Sequence, residues 1–222
     1  MNDTVLVSDE MLSALRDKIT RRKDGGLMSE KRYGHTLEVE KMAVRLAELY
    51  VPEKSNTLRA AALLHDITKE YSAELQIKLC AEYGIDVSET EAYAPKTFHA
   101  KTAAALLDAE FPEFASDEIK ECVRWHTTGR ADMTLCEKLV YLADYIDMSR
   151  SFEDCVRLRN YFFDARPEAM TEEERLRHLD DTLLLSYYMT IRGLLEGGSP
   201  ISEDTIAARN ELAVKRLKRK TL

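Results

Sequence analysis

The amino-acid sequence predicts an all-α protein. Apolar residues recur at three- and four-residue spacing through nearly every segment, and alternating runs long enough for a strand are scarce. Glycine, proline or helix-capping residues fall between the periodic stretches, which breaks the pattern into separate helices.

The first expected helix, Met11 to Arg22, has Met11, Leu12, Leu15 and Ile19 on one side and stops at Gly25-Gly26. The second runs from about Ser29 to Tyr50 and repeats His35, Val39, Met42, Ala43, Leu46 and Leu49, with Ser29 as its N-cap. Pro52 ends it, and Ser55 or Asn56 caps a third helix reaching about Asp66. Ser72 opens a helix through Cys80 to Tyr83, closed by Gly84, and residues 85–97 form a connection with a short helical piece. Further helices are expected over about 98–109, 116–127, 134–147, 153–164, 172–196 and 203–219. Asp132 or Thr134 caps the one carrying Asp144, and Gly197-Gly198-Ser199-Pro200 separates the last two.

A chain of 222 residues makes one sizeable domain or at most two small ones, and no repeat, low-complexity tract or linker marks a boundary. A domain of this size buries roughly 70% of its unfolded surface, so it needs no disulfide staples. Cys80, Cys122, Cys136 and Cys155 lack the spacing of a zinc knuckle or a redox dithiol. They are expected as buried free thiols of a protein in a reducing compartment, the cytoplasm. Met1-Asn2-Asp3-Thr4 lacks the basic start and apolar stretch of a signal peptide. The longest apolar run, Ala60 to Leu64, falls far short of the roughly 18–20 residues of a membrane span.

The net charge of −8 disfavours broad binding to nucleic acid or to an acidic membrane surface. A small anionic substrate stays admissible, because a local cluster of cations or metals decides its binding. The basic run Lys215 to Lys220 is read as a solvated helix end that complements the helix dipole.

Four of the five histidines share a pattern. His35 lies on the stripe of Val39, Met42 and Leu46. His65 follows Leu58, Ala61 and Ala62 at helical offsets, and His126 follows Ile119, Cys122 and Val123 in the same way. His99 leads the small-residue helix Ala103-Ala104-Ala105-Leu106-Leu107. All four are expected to face inward. His178, in the charged stretch Glu172 to Asp181, is read as a surface residue.

A single inward histidine is ordinarily a core residue with both nitrogens satisfied. Four of them on separate helices, with carboxylates beside them, need compensation worth several kcal/mol, and a shared metal centre supplies it. Asp66 follows His65 at the end of a very apolar helix, and Asp144 sits within Leu139-Val140-Tyr141-Leu142-Ala143-Asp144-Tyr145-Ile146, where an unpaired charge is unfavourable. Neighbouring side chains on a helix diverge by about 100°. Near a helix end, His65 and Asp66 can therefore straddle two ions, with the carboxylate bridging them. Nitrogen and oxygen donors without thiolate suit iron, manganese or zinc better than calcium or magnesium.

His35, the doublet His65-Asp66 and the distant Asp144 resemble the H…HD…D signature of the HD superfamily of metal-dependent phosphohydrolases. His99 and His126 match the two extra histidines of members with a binuclear centre. The flanks Arg32-Tyr33-Gly34-His35, Leu63-Leu64-His65-Asp66-Ile67-Thr68-Lys69, Phe98-His99-Ala100-Lys101 and His126-Thr127-Thr128-Gly129 are similar to the YqeK-type branch. So are Ala143-Asp144-Tyr145-Ile146-Asp147 with Arg150, Pro200-Ile201, and Thr205-Ile206-Ala207-Ala208-Arg209-Asn210. That branch comprises symmetrical bis(5'-nucleosyl)-tetraphosphatases. The bare doublet is a weak signal, whereas six ordered ligands with these flanks are a specific one. Asp147 departs from the branch, which commonly has glutamate there.

The resemblance spans about residues 28–217 and implies one HD-domain helical bundle over 28–222, with residues 1–27 as a helical extension packed on it. It implies that His35, His65, Asp66 and Asp144 hold one ion and that Asp66, His99 and His126 hold the second. The ions are expected to be iron, with manganese or cobalt also acceptable. A hydroxide bridging them is the expected nucleophile on an inner phosphorus, with Asp66, Lys69 and Asp144 in the catalytic machinery. Lys69, Thr127, Thr128, Arg150, Arg32 and Arg130 are the expected contacts to a nucleotide substrate, and Asp147 is expected to pair with an arginine. A homodimer is plausible on the same ground. Two other readings stand beside this one: a different HD nucleotide phosphohydrolase or phosphodiesterase, and a nucleotide-binding signalling module with negligible turnover.

Overall fold

The computed structural model describes residues 6–20 and 27–221. Among them are eleven α-helices and no β-strand. They are α1 (Asp9–Ile19), α2 (Glu30–Tyr50), α3 (Ser55–Leu64), α4 (Ala73–Glu82), α5 (Glu89–Ala92), α6 (Phe98–Glu110), α7 (Asp117–Trp125), α8 (Leu135–Ile146), α9 (Glu153–Asp164), α10 (Glu172–Glu196) and α11 (Glu203–Thr221). The Gly25-Gly26 stop, the continuation of the first helix to Arg22, and Met1 to Thr4 lie outside the described residues.

Capping explains most helix starts. Side chains of Ser8, Ser29, Ser72, Ser88, Ser116, Thr134 and Thr171 each accept a backbone N–H of the first turn, satisfying a donor that has no partner inside the helix. Between the two candidates for α8, Thr134 is the cap; Asp132 precedes it in the left-handed region, with φ of 55°. The start of α3 departs from expectation. Pro52 opens a 3-10 turn that runs directly into the helix, so Lys54 occupies the cap position and neither Ser55 nor Asn56 caps it.

The core forms around α3. Leu58 and Ala60 to Leu64 are all fully buried, enclosed by α1, α2, α7 and α8. Three successive alanines explain how several helices pack around α3: their short side chains leave room on every face. α6 packs on α7 and α4, while α9 and α11 pack on α10. Leu12, Leu15 and Ile19 of α1 join the same apolar core, each burial contributing roughly 1.5–3 kcal/mol. All four cysteines are buried free thiols. No described helix is long and apolar enough to cross a membrane.

Candidate metal centre

Helix ends meet at one point in this bundle. α3 stops at Leu64 and α7 at Trp125, so His65 and His126 are their C-terminal cap residues; Asp144 lies in the last turn of α8. His99 sits in the first turn of α6 and His35 near the start of α2. Three helix C-termini thus point at the site, and their partial negative charge favours a cation there.

The histidines are oriented by their outer nitrogens. His65 Nδ1 lies 2.6 Å from Ala62 O, His126 Nδ1 2.7 Å from Val123 O, and His99 Nδ1 2.8 Å from Lys96 O. For His65 and His126 the ring N–H, donating three residues back, reaches a carbonyl in the last turn of its helix, and in all three rings the contact commits Nδ1 as the donor. Nε2 then carries the lone pair and points inward. His35 is fixed differently, with Nδ1 3.1 Å from Ser149 Oγ and 3.5 Å from Asp147 Oδ2.

The inner atoms converge on Asp66. Its Oδ2 lies 3.3 Å from His65 Nε2 and 3.9 Å from His35 Nε2, while Oδ1 lies 3.2 Å from His99 Nε2 and 3.6 Å from His126 Nε2. Asp144 Oδ1 stands 3.0 Å from His35 Nε2 and 3.6 Å from His65 Nε2. His65, Asp66, His99 and His126 are at most 3% exposed. Ligand atoms of His35, His65 and Asp144, and separately of His65, Asp66 and His126, lie within 4.8 Å of one another, close enough to share an ion.

Two observations fit this donor set to metal. Among the described residues, His65 Nε2 and Asp66 Oδ1 are buried without a hydrogen-bond partner, an unfavourable state for either atom unless a cation lies between the donors. The Nε2 atoms of His99 and His126 face each other at 3.0 Å. Burial pushes His99 down to about 4, against the pull of Asp66, and burial also lowers His126. Both rings are then neutral near pH 7, with lone pairs opposed. Burial lowers His65 as well, but Asp66 and Asp144 outweigh it and raise the ring to about 10. Asp66 and Asp144 are held well below the usual carboxylate range; burial opposes this, and the histidines and Arg150 overcome it.

The expected substrate contacts divide into two groups. Lys69 Nζ lies 3.1 Å from His99 Nε2, and Thr127 Oγ1 lies 3.0 and 2.9 Å from His99 and His126 Nε2. Arg32 Nη1 is 2.6 Å from Asp66 Oδ2, and Arg150 Nη2 pairs with Asp144 Oδ1. These four residues border the cluster.

Thr128 and Arg130 have their partners away from the cluster. The Thr128 hydroxyl is buried and donates to Gly129 O, while its carbonyl accepts from Thr205. Arg130 forms a two-pronged pair with buried Glu137 at 2.9 and 2.8 Å and a further one with Glu121, so its charge is already compensated. The surface placement of His178 is corrected: it is half-buried, stacked on Phe162 at 5.3 Å, with Nε2 3.0 Å from Phe162 O.

Sequence reasoning missed Ser149 and Arg159. Asp147 is fully buried; its Oδ1 accepts from Ser149, whose hydroxyl in turn meets His35, and Oδ2 accepts Arg150 Nε at 3.2 Å. Arg159 of α9 donates to the carbonyls of Ile146, Asp147 and Arg150, binding the turn that carries these groups. Nothing in the local sequence distinguishes Arg159 from a surface arginine.

An all-α bundle whose helix ends bring four histidines and two aspartates to one buried point is matched by the HD domain family over residues 32–149, which contain all six of them, and the chain belongs to that family. Individual relatives are similar along most of its length. The symmetrical bis(5'-nucleosyl)-tetraphosphatase of Halalkalibacterium halodurans is 29% identical over 185 residues, 83% of this chain and 90% of that protein. The Bacillus subtilis protein of the same name is likewise 29% identical over 185 residues, 83% of this chain and 91% of its own. A crystal structure from Clostridium acetobutylicum, described as an HD superfamily hydrolase involved in NAD metabolism, has a TM-score of 0.74 at 29% identity. It covers 91% of this chain and 97% of that one.

Proposed function

We propose that this chain is a metal-dependent hydrolase that splits dinucleoside tetraphosphates symmetrically, diadenosine tetraphosphate giving two ADP. The observation that carries the reading is the Asp66 carboxylate, whose two oxygens face two separate sets of ring nitrogens. Relatives of matching length bear this activity in their names.

His35, His65, Asp66 and Asp144 would hold one cation, and Asp66, His99 and His126 the other. Bound there, two cations would lower the pKa of water towards neutrality and withdraw charge from phosphate oxygens. The donor set of nitrogen and oxygen without thiolate accommodates iron, which we take as the resident metal, and equally manganese or cobalt.

The protein's own groups do the rest. Ser149 and Asp147 hold the His35 ring in place. Arg32 and Arg150 pair with Asp66 and Asp144; with those carboxylates holding cations, both guanidiniums would be free to meet phosphate oxygens. Lys69 places an ammonium beside His99, where a second phosphate group of the chain is reached. Water adds its oxygen to an inner phosphorus, the P–O–P bond breaks, and the bridging oxygen leaves with the other ADP. The water protons pass to solvent or product.

The reading is tested by loading the protein with iron or manganese and identifying the products from diadenosine tetraphosphate. ADP as the sole nucleotide product is expected, and AMP with ATP would reject symmetric cleavage. Tight nucleotide binding with negligible turnover would favour a signalling module. The Clostridium neighbour described as involved in NAD metabolism supports a second reading, hydrolysis of another phosphoric anhydride of a nucleotide. Assay of nucleoside di- and triphosphates alongside the tetraphosphate separates the two.

A further inference from the structure

Beside the histidine cluster opens a cleft of about 360 Å³ that shares Lys69 and His99 with it. Tyr71 and Ala73, at the start of α4, line one part; Pro95 and Lys96, in the turn before α6, line another. Small-molecule sites typically occupy roughly 300–1,000 Å³, so the space suits part of a nucleotide rather than a bare ion.

The charge of this cleft runs against that of the molecule. In a chain of net charge −8, Lys69 touches only the ring nitrogens of His99, and it has no carboxylate within ion-pair distance among the described residues. Lys96 is exposed and likewise forms no ion pair among them. Gln76, at the back, is committed: Nε2 donates to Thr68 O at 2.6 Å, and Oε1 accepts from Thr102. The cleft therefore combines two available cations with an aromatic residue and a proline, and its back wall offers no free amide. That combination selects an anion bonded to a flat ring, because every base has a π-face that an aromatic residue can stack on.

We propose that this cleft binds one nucleoside diphosphate half of the substrate. The phosphates extend past Lys96 and Lys69 towards the metal ligands, and the nucleoside lies against Tyr71 and Pro95. The substrate class rests on the function proposed above, while the cleft and its charge do not.

The test compares metal-loaded wild type, Lys96→Glu, Tyr71→Ala and Lys78→Glu, the last an exposed α4 lysine outside the cleft with the same change of charge. ADP binding is measured by calorimetry, and KM and kcat on diadenosine tetraphosphate are measured separately. Lys96→Glu and Tyr71→Ala are each expected to weaken ADP binding roughly tenfold and to raise KM more than they lower kcat. Lys78→Glu should stay within about twofold of wild type. Inorganic phosphate should bind more weakly to Lys96→Glu and unchanged to Tyr71→Ala. Lys96 is exposed, so its variant decides the matter even if Tyr71→Ala fails to fold. ADP affinity unchanged in Lys96→Glu, or no ADP binding by wild type, would overturn the subsite. Wild type that binds ADP through these residues yet does not split the tetraphosphate symmetrically would overturn the proposed activity and leave the subsite standing.

Discussion

His99 and His126 bring their Nε2 atoms to 3.0 Å with both Nδ1 atoms turned to backbone carbonyls. Two neutral rings so arranged oppose their lone pairs, and a cation held between them and Asp66 would relieve that repulsion.

Asp66→Asn removes the one carboxylate that faces both nitrogen sets. Metal affinity should drop by roughly 100-fold or more, with activity nearly abolished, since even outer partners of metal ligands are typically worth 10–100-fold. Asp144→Ala should likewise lose metal and activity while helical content survives. Elemental analysis with far-UV circular dichroism checks both; full metal occupancy in Asp66→Asn would remove it from the bridging role.

Chelated protein should become less stable as pH rises. The folded His65 ring is raised to about 10 from its ordinary 6.5, so its contribution is complete below pH 6.5 and disappears as pH climbs through 10. Asp66 and Asp144 are depressed, so theirs is present above about 3.8 and is lost in acid. Thermal unfolding at pH 6 and pH 9 should show a lower Tm at pH 9 for chelated protein, and metal should erase most of that difference. An equal alkaline loss with metal bound would contradict ligation by His65.

Arg159→Ala frees three carbonyls at the end of α8 and loosens the turn carrying Asp147, Ser149 and Arg150. Metal affinity should weaken by roughly 10–100-fold, as for other residues that orient ligands, with partial recovery in Arg159→Lys. Metal titration of the two variants distinguishes this from a purely global loss of stability, which would leave affinity intact.

Gly129 adopts φ of 63°, and a Cβ there would lie 1.9 Å from the Tyr187 hydroxyl. Gly129→Ala should lower Tm through both backbone strain, about 1–2 kcal/mol, and the clash. Tyr187→Phe should be neutral or slightly stabilising by itself, because this buried hydroxyl has no partner among the described residues, and it should restore part of the loss in Gly129→Ala. Chemical denaturation of the single and double variants gives the coupling directly.

His178→Ala should leave kcat and KM close to wild type and reduce stability by about 1–2 kcal/mol, through loss of the Phe162 stack and the hydrogen bond to Phe162 O. A large fall in turnover would reveal a connection between α10 and the site.

Much of the site was legible because its signals are local or chemical. The histidines' placement on apolar stripes indicated an inward direction, and His65-Asp66 after the alanine run indicated a pair at a helix end. Lys69, Arg32, Arg150 and Thr127 border the cluster. Thr128 and Arg130 follow Thr127 in sequence but face other partners: Arg130 is captured by Glu137 seven residues later, inside α8, which no local pattern announces. Ser149 and Arg159 were invisible for the same reason, since their roles consist of contacts to groups positioned by other helices.

By itself the sequence determined the helices, several of their caps and the four histidines and two aspartates that would face inward together, because helical periodicity and capping act over three or four residues and donor chemistry belongs to the residue type. Tertiary structure alone decided which Asp66 oxygen faces which rings, which histidine nitrogen keeps its proton, and which cations are left without a carboxylate. Those outcomes depend on how groups separated by up to 109 positions pack together, and on the low dielectric that packing creates around them.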